Sequence, residues 1–380
     1  MEHDYNQTMA NIYDYLKWRG DLTFNERPFN DVDNLILSEI CYAEMDDIVP
    51  GPGEGTVTIK ELSEGYTSHG YESHLVNNPK ETLELAEVSA RFCDVKVGSY
   101  INRIDHDKQV QFSAVTFHIP DGTIYVAFRG TDNTIVGWRE DLNFSFMETE
   151  GQREAVAYLN NIAKENNSMI RVGGHSKGGN LAVYAAAFAD EKTKERIVEV
   201  YSNDGPGFNE KISKDKRYLE TLNKVKLIMP SFSVVGILLN NKSERTIIKS
   251  DATGPMQHNP LVWQVNTTDF ATVDEQDPAS IFMDETVSRW LSTMDDKERM
   301  ALVNSIFDSV DASGASTLQD IKQSKQKAFF AIAKAVMKID ATRKKELAII
   351  LKKLGAAGMV VAKEDLKATF EEWKEKVTRT

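Results

Sequence analysis

The fold of this chain is decided by residues 173–182, which read GGHSKGGNLA. Residues 168–172 before this stretch form a short apolar run, and residues 181–189 after it are rich in helix formers. This order predicts a strand, a tight turn and a helix. The turn contains a G-x-S-x-G pattern with Ser176 at its centre.

The turn at Ser176 is typical of a nucleophile elbow, in which the serine adopts strained backbone angles and its hydroxyl stands clear of the sheet. We expect Gly174 and Gly178 to support the elbow, because a Cβ at either position would strike a neighbouring strand or helix. The N-terminus of the following helix favours developing negative charge. A serine-capped helix after a glycine loop is the alternative, and the strand and helix on either side favour the elbow.

Size and charge limit the other possibilities. The 380 residues are 41% hydrophobic, which is enough for a full-sized core and more than one domain. The net charge of −13 argues against a nucleic-acid partner, because no basic excess is available to neutralise phosphates. Two cysteines suit a reducing cytosol. We expect a cytoplasmic protein, with neither a signal peptide nor a transmembrane segment.

The hydrophobic pattern predicts an α/β fold. Two helices are expected within residues 1–50, and from residue 95 the period changes to that of strands. Strands are predicted at residues 97–104, 110–118, 123–128, 197–201, 225–229 and 245–249, and helices at 135–145 and 151–165. The alternation indicates a mostly parallel central sheet covered on both faces, with an antiparallel hairpin at one edge.

The pattern changes again past residue 266. We predict an α/β domain with an N-terminal helical segment at residues 1–266, and a C-terminal helical region at residues 267–380. Helices are expected at residues 281–293, 295–310, 317–338, 341–354 and 364–377. Their mixture of lysines and apolar residues leaves a peripheral membrane contact open, but a solvated face on packed helices is the favoured interpretation.

A glycine turn upstream of the elbow follows the strand at 123–128. In acyl-transfer enzymes this position supplies one backbone N–H to the oxyanion, and the residue after the nucleophile supplies the other. We therefore predict Thr131 and Lys177 as oxyanion-hole residues. Arg129 is interpreted as the structural partner of Asp132 or Asp141, in preference to a substrate-binding cation.

Several motifs around the elbow carry a family resemblance. They are AFRGT at residues 127–131, Trp138, Asp141-Leu142 and GHSKGG at residues 174–179. These motifs resemble the class 3 (fungal-type) lipases over roughly residues 95–210. WRGD at residues 18–21 and NDGPGF at residues 203–208 also resemble an uncharacterised bacterial family of lipase-like α/β-hydrolases that lack export signals. The resemblance implies the α/β-hydrolase fold and a serine hydrolase, without a substrate.

The order of a catalytic triad along the chain selects the base. In α/β-hydrolases the order is serine, acid, histidine. Only His258 of the seven histidines lies beyond Ser176, so His258 is the predicted base. His175 is expected to support the turn, because adjacent residues of an elbow point away from each other.

The acid has more than one candidate. Asp204 is the first carboxylate after the strand that follows the elbow helix, and its role would be to orient the imidazole. In class 3 lipases the acid usually follows a later strand, and the corresponding residues 229–236 contain no carboxylate. Asp204, at the position used by pancreatic-type lipases, is favoured. Asp251 and the absence of any acid stay open.

These observations predict a serine hydrolase that cleaves a carboxylic ester, either a lipid or another acyl ester, through an acyl-enzyme. Its triad would be Ser176, His258 and Asp204, with no metal or organic cofactor. The rival hypothesis is a catalytically silent hydrolase-fold protein that binds a partner or acts as a scaffold through its C-terminal helices. The missing acid at the class 3 position favours that rival, whereas the elbow and His258 oppose it.

Overall fold

The structure is a computed structural model of the 380-residue chain. It describes residues 10–67, 78–105, 110–131, 147–292, 294–295 and 297–298. The helices predicted at 135–145, 317–338, 341–354 and 364–377 lie outside the described residues, as does most of the helix predicted at 295–310. Asp132, Trp138 and Asp141 lie outside them as well.

An eight-stranded sheet forms the centre of the described part of the chain, and the order of its strands in space is their order in sequence. The strands are β1 (Thr56–Thr58), β2 (Lys96–Asp105), β3 (Val110–His118), β4 (Ile124–Phe128), β5 (Ile170–His175), β6 (Ile197–Asn203), β7 (Val225–Pro230) and β8 (Arg245–Ile248). Strands β1 to β4 pair antiparallel, and β4 to β8 pair parallel. The predicted fold class is confirmed, but the antiparallel part is larger than the predicted hairpin. Strand β1 is too short to show a period in the sequence.

Helices cover both faces of the sheet. They are α1 (Ile12–Arg19), α2 (Asp31–Ile40), α3 (Ile59–Gly65), α4 (Pro79–Glu87), α5 (Glu150–Glu165), α6 (Lys177–Phe188), α7 (Glu191–Lys194), α8 (Glu210–Ser213), α9 (Lys216–Thr221) and α10 (Pro278–Ser292). Capping boxes at Asn11, Asn30, Thr58 and Thr149 fix where four of them begin. Within the described ranges, no helix is both long enough and apolar enough to cross a bilayer.

Strand β4 separates two hydrophobic cores. All five of its residues are buried, and successive side chains point to opposite faces of the sheet. Tyr125 and Ala127 pack in the core under α1 to α4, whereas Val126 and Phe128 pack in the core under α5 and α6. A strand covered on both sides is typical of the parallel part of such a sheet.

A second, two-stranded sheet continues the fold beyond β8. It pairs β9 (Val265–Asn266) with β10 (Asp269–Phe270), and Phe270 is buried in the core under α1 to α4. The boundary predicted between residues 266 and 267 falls inside this hairpin, and the division into two regions stays a prediction. Helix α10 agrees with the helix predicted at residues 281–293.

A buried ion pair fastens the N-terminal helices to the rest of the fold. Arg91 binds Asp33 with two hydrogen bonds, Nε to Oδ1 at 2.7 Å and Nη2 to Oδ2 at 2.6 Å. The two side chains are 1% and 0% exposed. Arg91 also donates to the carbonyl oxygens of Arg27 and Pro28, and the Tyr15 hydroxyl donates to Asp33. These contacts compensate both desolvated charges.

We predict that Arg91→Met lowers the free energy of unfolding by about 3–5 kcal/mol, because the buried charge of Asp33 loses its partner. Urea denaturation followed by circular dichroism measures the change. Lys80→Ala is the control, since it removes a pair with Glu84 whose members are 55% and 58% exposed. The control should change the free energy by less than about 0.5 kcal/mol. Equal effects for the two variants would contradict the prediction.

Candidate active site

Ser176 lies at the turn between β5 and α6, where the sequence predicts it. Its φ is 57° and its ψ is −127°, a strained combination for a residue other than glycine. Two backbone hydrogen bonds of 2.9 Å hold the turn, one from the Ser176 N–H to the Asn203 carbonyl and one from the Gly179 N–H to the Ser176 carbonyl. The local geometry is that of a nucleophile elbow.

The glycines of the elbow are required by close backbone contacts. A Cβ on Gly174 would lie 2.5 Å from the Phe128 carbonyl oxygen, and one on Gly178 would lie 2.0 Å from the same atom. The steric reason predicted for both glycines is therefore confirmed. A Cβ on Gly130 would lie 2.7 Å from the His175 carbonyl oxygen, so the loop after β4 begins beside the elbow.

A polar cluster under the elbow connects β5 and β6 to helix α2. The Asn203 side chain donates to the Gly174 carbonyl at 3.2 Å and to Ser38 Oγ at 3.3 Å. Asn34 donates to Asn203 Oδ1 at 2.9 Å and accepts from the Tyr125 hydroxyl at 2.7 Å. All of these side chains are buried, so the cluster satisfies polar groups that water cannot reach.

The two predicted oxyanion-hole residues flank the elbow. Lys177 is the first residue of α6, and the first backbone N–H groups of a helix point out of its N-terminal end. Its side chain is buried and donates to the carbonyl of Gln111 at 2.7 Å and to its Oε1 at 2.5 Å, so the ammonium group does not face a substrate. Thr131 is half-buried and follows the loop that begins beside the elbow. Their role at an oxyanion stays a prediction.

Arg129 is buried, 4% exposed, and its Nη2 donates to Asn102 Oδ1 at 2.5 Å. The partners predicted for it lie outside the described residues. Its burial agrees with a structural role.

His258 ends a short 3₁₀ turn and contacts the predicted acid. Its Nδ1 lies 2.6 Å from Oδ2 of Asp204, which follows β6 directly and is fully buried. The predicted contact is thus present, whereas the catalytic role of the pair stays a prediction. His258 is 20% exposed, so its ring is accessible from the surface. Asp251, the alternative acid, is exposed and accepts from Gln264 at 2.7 Å.

The second oxygen of Asp204 is bound by the loop after β7. Ser233 Oγ donates to Oδ1 at 2.5 Å, and the Gly236 N–H donates to the same oxygen at 3.2 Å. A buried carboxylate requires such donors. Ser233 was not predicted from the sequence, because the prediction for residues 229–236 concerned a carboxylate alone. The signal available was a serine just past a predicted strand.

The loop that carries His258 is fixed through Gln257. The buried side chain of Gln257 accepts from the Phe232 N–H at 3.1 Å and from Ser231 Oγ at 3.2 Å. Its carbonyl accepts from the Trp263 indole at 2.8 Å. These contacts hold the base against the loop after β7.

His175 supports the turn in a specific way. Its Nε2 lies 2.9 Å from the carbonyl oxygen of His258, and its Nδ1 lies 3.1 Å from the Tyr42 hydroxyl. Burial, and then the nearby His258 ring, hold the pKa of His175 well below its usual range, so the ring is neutral. A carbonyl only accepts, and we therefore assign the proton to Nε2 and an accepting lone pair to Nδ1. His175 thereby fixes the backbone of the predicted base.

No group of three or more His, Cys, Asp or Glu side chains that could hold a metal ion occurs in the described ranges. Cys41 and Cys93 are free thiols. The mechanism expected from the sequence needs no metal or organic cofactor, and this stays a prediction.

The topology defines the class of this protein. An antiparallel start, a parallel continuation and an elbow after β5 constitute the α/β-hydrolase fold. The model of the Mbeg1-like family matches residues 86–308, which is more than half of the chain. The chain belongs to the Mbeg1-like family. No match is found among curated proteins.

Solved structures of fungal lipases are similar to this chain at low identity. The lipase in a fungal lipase–inhibitor complex is 17% identical to this chain, with a TM-score of 0.35. The match covers 51% of this chain and 77% of the lipase chain. The native propeptide complex of Rhizomucor miehei lipase is 18% identical with a TM-score of 0.33, over 48% of this chain and 63% of that chain. The chain thus spans less than two thirds of the Rhizomucor protein.

We predict that His175 makes the stability of the protein depend on pH. Because its pKa is lowered on folding, the unfolded chain binds a proton first as the pH falls below about 6.5. The free energy of unfolding should then decrease with a slope approaching about 1.4 kcal/mol per pH unit from this residue. In His175→Gln this contribution should be absent.

Urea denaturation of both proteins at pH 7.0, 6.0 and 5.0 measures the difference. His118→Gln is the control, because His118 ends β3, is half-buried, and has a pKa that burial lowers to a smaller degree than that of His175. That variant should keep most of the wild-type slope. If the free energy of unfolding falls with the same slope in the wild type and in His175→Gln, the pKa of His175 is not lowered on folding.

Proposed function

We propose that this protein is a serine hydrolase that cleaves a carboxylic ester, either a lipid or another acyl ester. The observation that carries the proposal is the contact of 2.6 Å between His258 Nδ1 and the buried Asp204 carboxylate. This pair follows Ser176 in the order that α/β-hydrolases use. The strained backbone of Ser176 supports the same conclusion, because such strain persists where the surroundings hold a residue for function.

In the proposed mechanism, Ser176 Oγ attacks the ester carbonyl while His258 Nε2 takes its proton. Asp204 accepts from the Nδ1 proton, which keeps the imidazole in the required tautomer and stabilises its charged form. The backbone N–H groups of Thr131 and Lys177 bind the oxyanion. His258 then protonates the leaving alcohol, and water activated by His258 releases the acid from the acyl-enzyme.

Exposed apolar side chains on two segments that contribute to the site support an apolar acyl group. Met256 lies two residues before His258 and is 51% exposed. Ile281 is 44% exposed and follows Ser280, which contacts the loop that binds Asp204. Exposed large apolar side chains at a site are typical of surfaces that bind apolar ligands. A peripheral membrane contact and a cytoplasmic location stay predictions.

We predict that Ser176→Ala abolishes hydrolysis of a short p-nitrophenyl ester, because the nucleophile is removed. The thermal unfolding midpoint should stay within about 2 °C of the wild type, since the backbone strain at residue 176 is unchanged. A fluorophosphonate probe should label the wild type and leave the variant unlabelled. Full activity in Ser176→Ala would show that another nucleophile is used.

The same two assays test the rival hypothesis of a silent hydrolase-fold binding protein. A folded wild type that neither reacts with the probe nor hydrolyses short and long acyl esters would favour the rival. If the probe labels the protein but no ester is hydrolysed, Ser176 is still a nucleophile and the proposed substrate class is wrong.

We predict that Asp204→Asn slows ester turnover by roughly 10⁴-fold, as expected when an imidazole is held in the wrong tautomer. Steady-state kinetics with the short ester measures kcat. Asp251→Asn is the matched control, since that carboxylate is exposed and contacts Gln264. Its kcat should stay within about twofold of the wild type. A large loss of kcat in Asp251→Asn would show that Asp251, and not Asp204, is the acid.

A further inference from the structure

The carboxylate of Asp204 has two oxygens with different partners, and only one of them contacts the histidine. Oδ2 accepts from His258, and Oδ1 accepts from Ser233 Oγ at 2.5 Å and from the Gly236 N–H at 3.2 Å. Asp204 and Ser233 are both 0% exposed. Since water does not reach these groups, the Ser233 hydroxyl replaces a solvent hydrogen bond that the carboxylate has lost.

The loop after β7 approaches Asp204 Oδ1 closely. A Cβ on Gly236 would lie 2.3 Å from Asp204 Oδ1 and 3.0 Å from Ser233 Oγ. The Gly236 N–H also donates to Ser233 Oγ at 2.9 Å, which orients the hydroxyl toward the carboxylate. The loop after β7 therefore encloses Oδ1 by contact as well as by hydrogen bonding.

Ser233 is itself held by helix α10. The Ser280 hydroxyl donates to the Ser233 carbonyl at 2.6 Å and accepts from the Ser233 N–H at 3.1 Å. It also accepts from Gln276 Nε2 at 3.0 Å. A hydroxyl has one proton and two lone pairs, so these three contacts use its full capacity. Ser280 is 0% exposed, and it fixes both backbone polar groups of Ser233 at once.

We propose that Ser233 is a positioning residue for the triad acid, and that Ser280 of α10 positions Ser233. The inference rests on the proposed function, in which Asp204 orients His258. The start of the C-terminal helical region is then part of the machinery that aligns the base, through the series Ser280, Ser233, Asp204 and His258. In class 3 lipases the acid usually lies at the position of residues 229–236. In this chain those residues instead supply the two donors, Ser233 and Gly236, that bind the carboxylate of Asp204.

The test compares Ser233→Ala and Ser280→Ala in the full-length protein. Ser233→Ala should lower kcat for the short ester by about 10- to 100-fold with KM unchanged, because a hydrogen bond to a charged group is lost. Ser280→Ala keeps the Ser233 hydroxyl and should lower kcat by about 3- to 10-fold, as expected for a neutral hydrogen bond. Ser213→Ala is the matched control, since Ser213 is buried and bonds the Glu210 carbonyl within α8.

A spectroscopic readout separates positioning from general destabilisation. The proton that His258 Nδ1 donates to Asp204 should give a downfield proton resonance in ¹⁵N-histidine-labelled protein, identified by its loss in His258→Gln. The resonance should shift upfield or broaden in Ser233→Ala and in Ser280→Ala, and stay unchanged in Ser213→Ala. If Ser233→Ala does not fold, Ser280→Ala decides by the same two readouts.

An unchanged kcat and an unchanged resonance in the folded variants would overturn the inference. The proposed function fails by a different result, namely a folded wild type without turnover or probe labelling. The resonance does not depend on turnover, so it still reports whether Ser233 and Ser280 position the Asp204–His258 pair in that case.

Discussion

The close approach between the end of β4 and the elbow is the constraint on which the site depends. The Phe128 carbonyl oxygen lies so near Gly174 and Gly178 that neither residue can carry a side chain. This contact brings the loop after β4 beside the N-terminus of α6. Ser176, between these two glycines, has a positive φ. Hydrogen bonds to β6 and within the turn hold it in this conformation. The predicted nucleophile therefore lies directly beside this backbone contact.

The acid side of the site is built differently, because a buried charge needs partners from several directions. Asp204 receives its donors from the loop after β7, and that loop is bound in turn by Gln257 and Ser280. Segments far apart in sequence thus converge on one carboxylate. Each is held by neutral hydrogen bonds that are individually modest, and together these bonds stabilise the observed orientation of the carboxylate.

The parts of this structure that follow local rules were predictable from the sequence. Strand β3 has the predicted bounds, and the elbow and the contact between His258 and Asp204 follow from chain order. Contacts that depend on tertiary packing were not predictable. Ser233 and Ser280 are 47 residues apart, and the Tyr42 hydroxyl reaches His175 across 133 residues. No local pattern distinguishes such a serine or tyrosine from its neighbours, since its partner is defined only after folding. Strand β1 was missed because three residues show no period.

Residues 31–42, which include helix α2, lie outside residues 86–308, the part of the chain that matches the family model. Yet Asn34, Ser38 and Tyr42 supply hydrogen bonds to the residues that form and support the elbow. In genetic terms, a second mutation that compensates for a destabilised elbow is as much expected among residues 31–42 as beside Ser176. Substitutions in that N-terminal segment are thus expected to disturb the backbone at Ser176, even though no residue of the segment is proposed to touch the substrate.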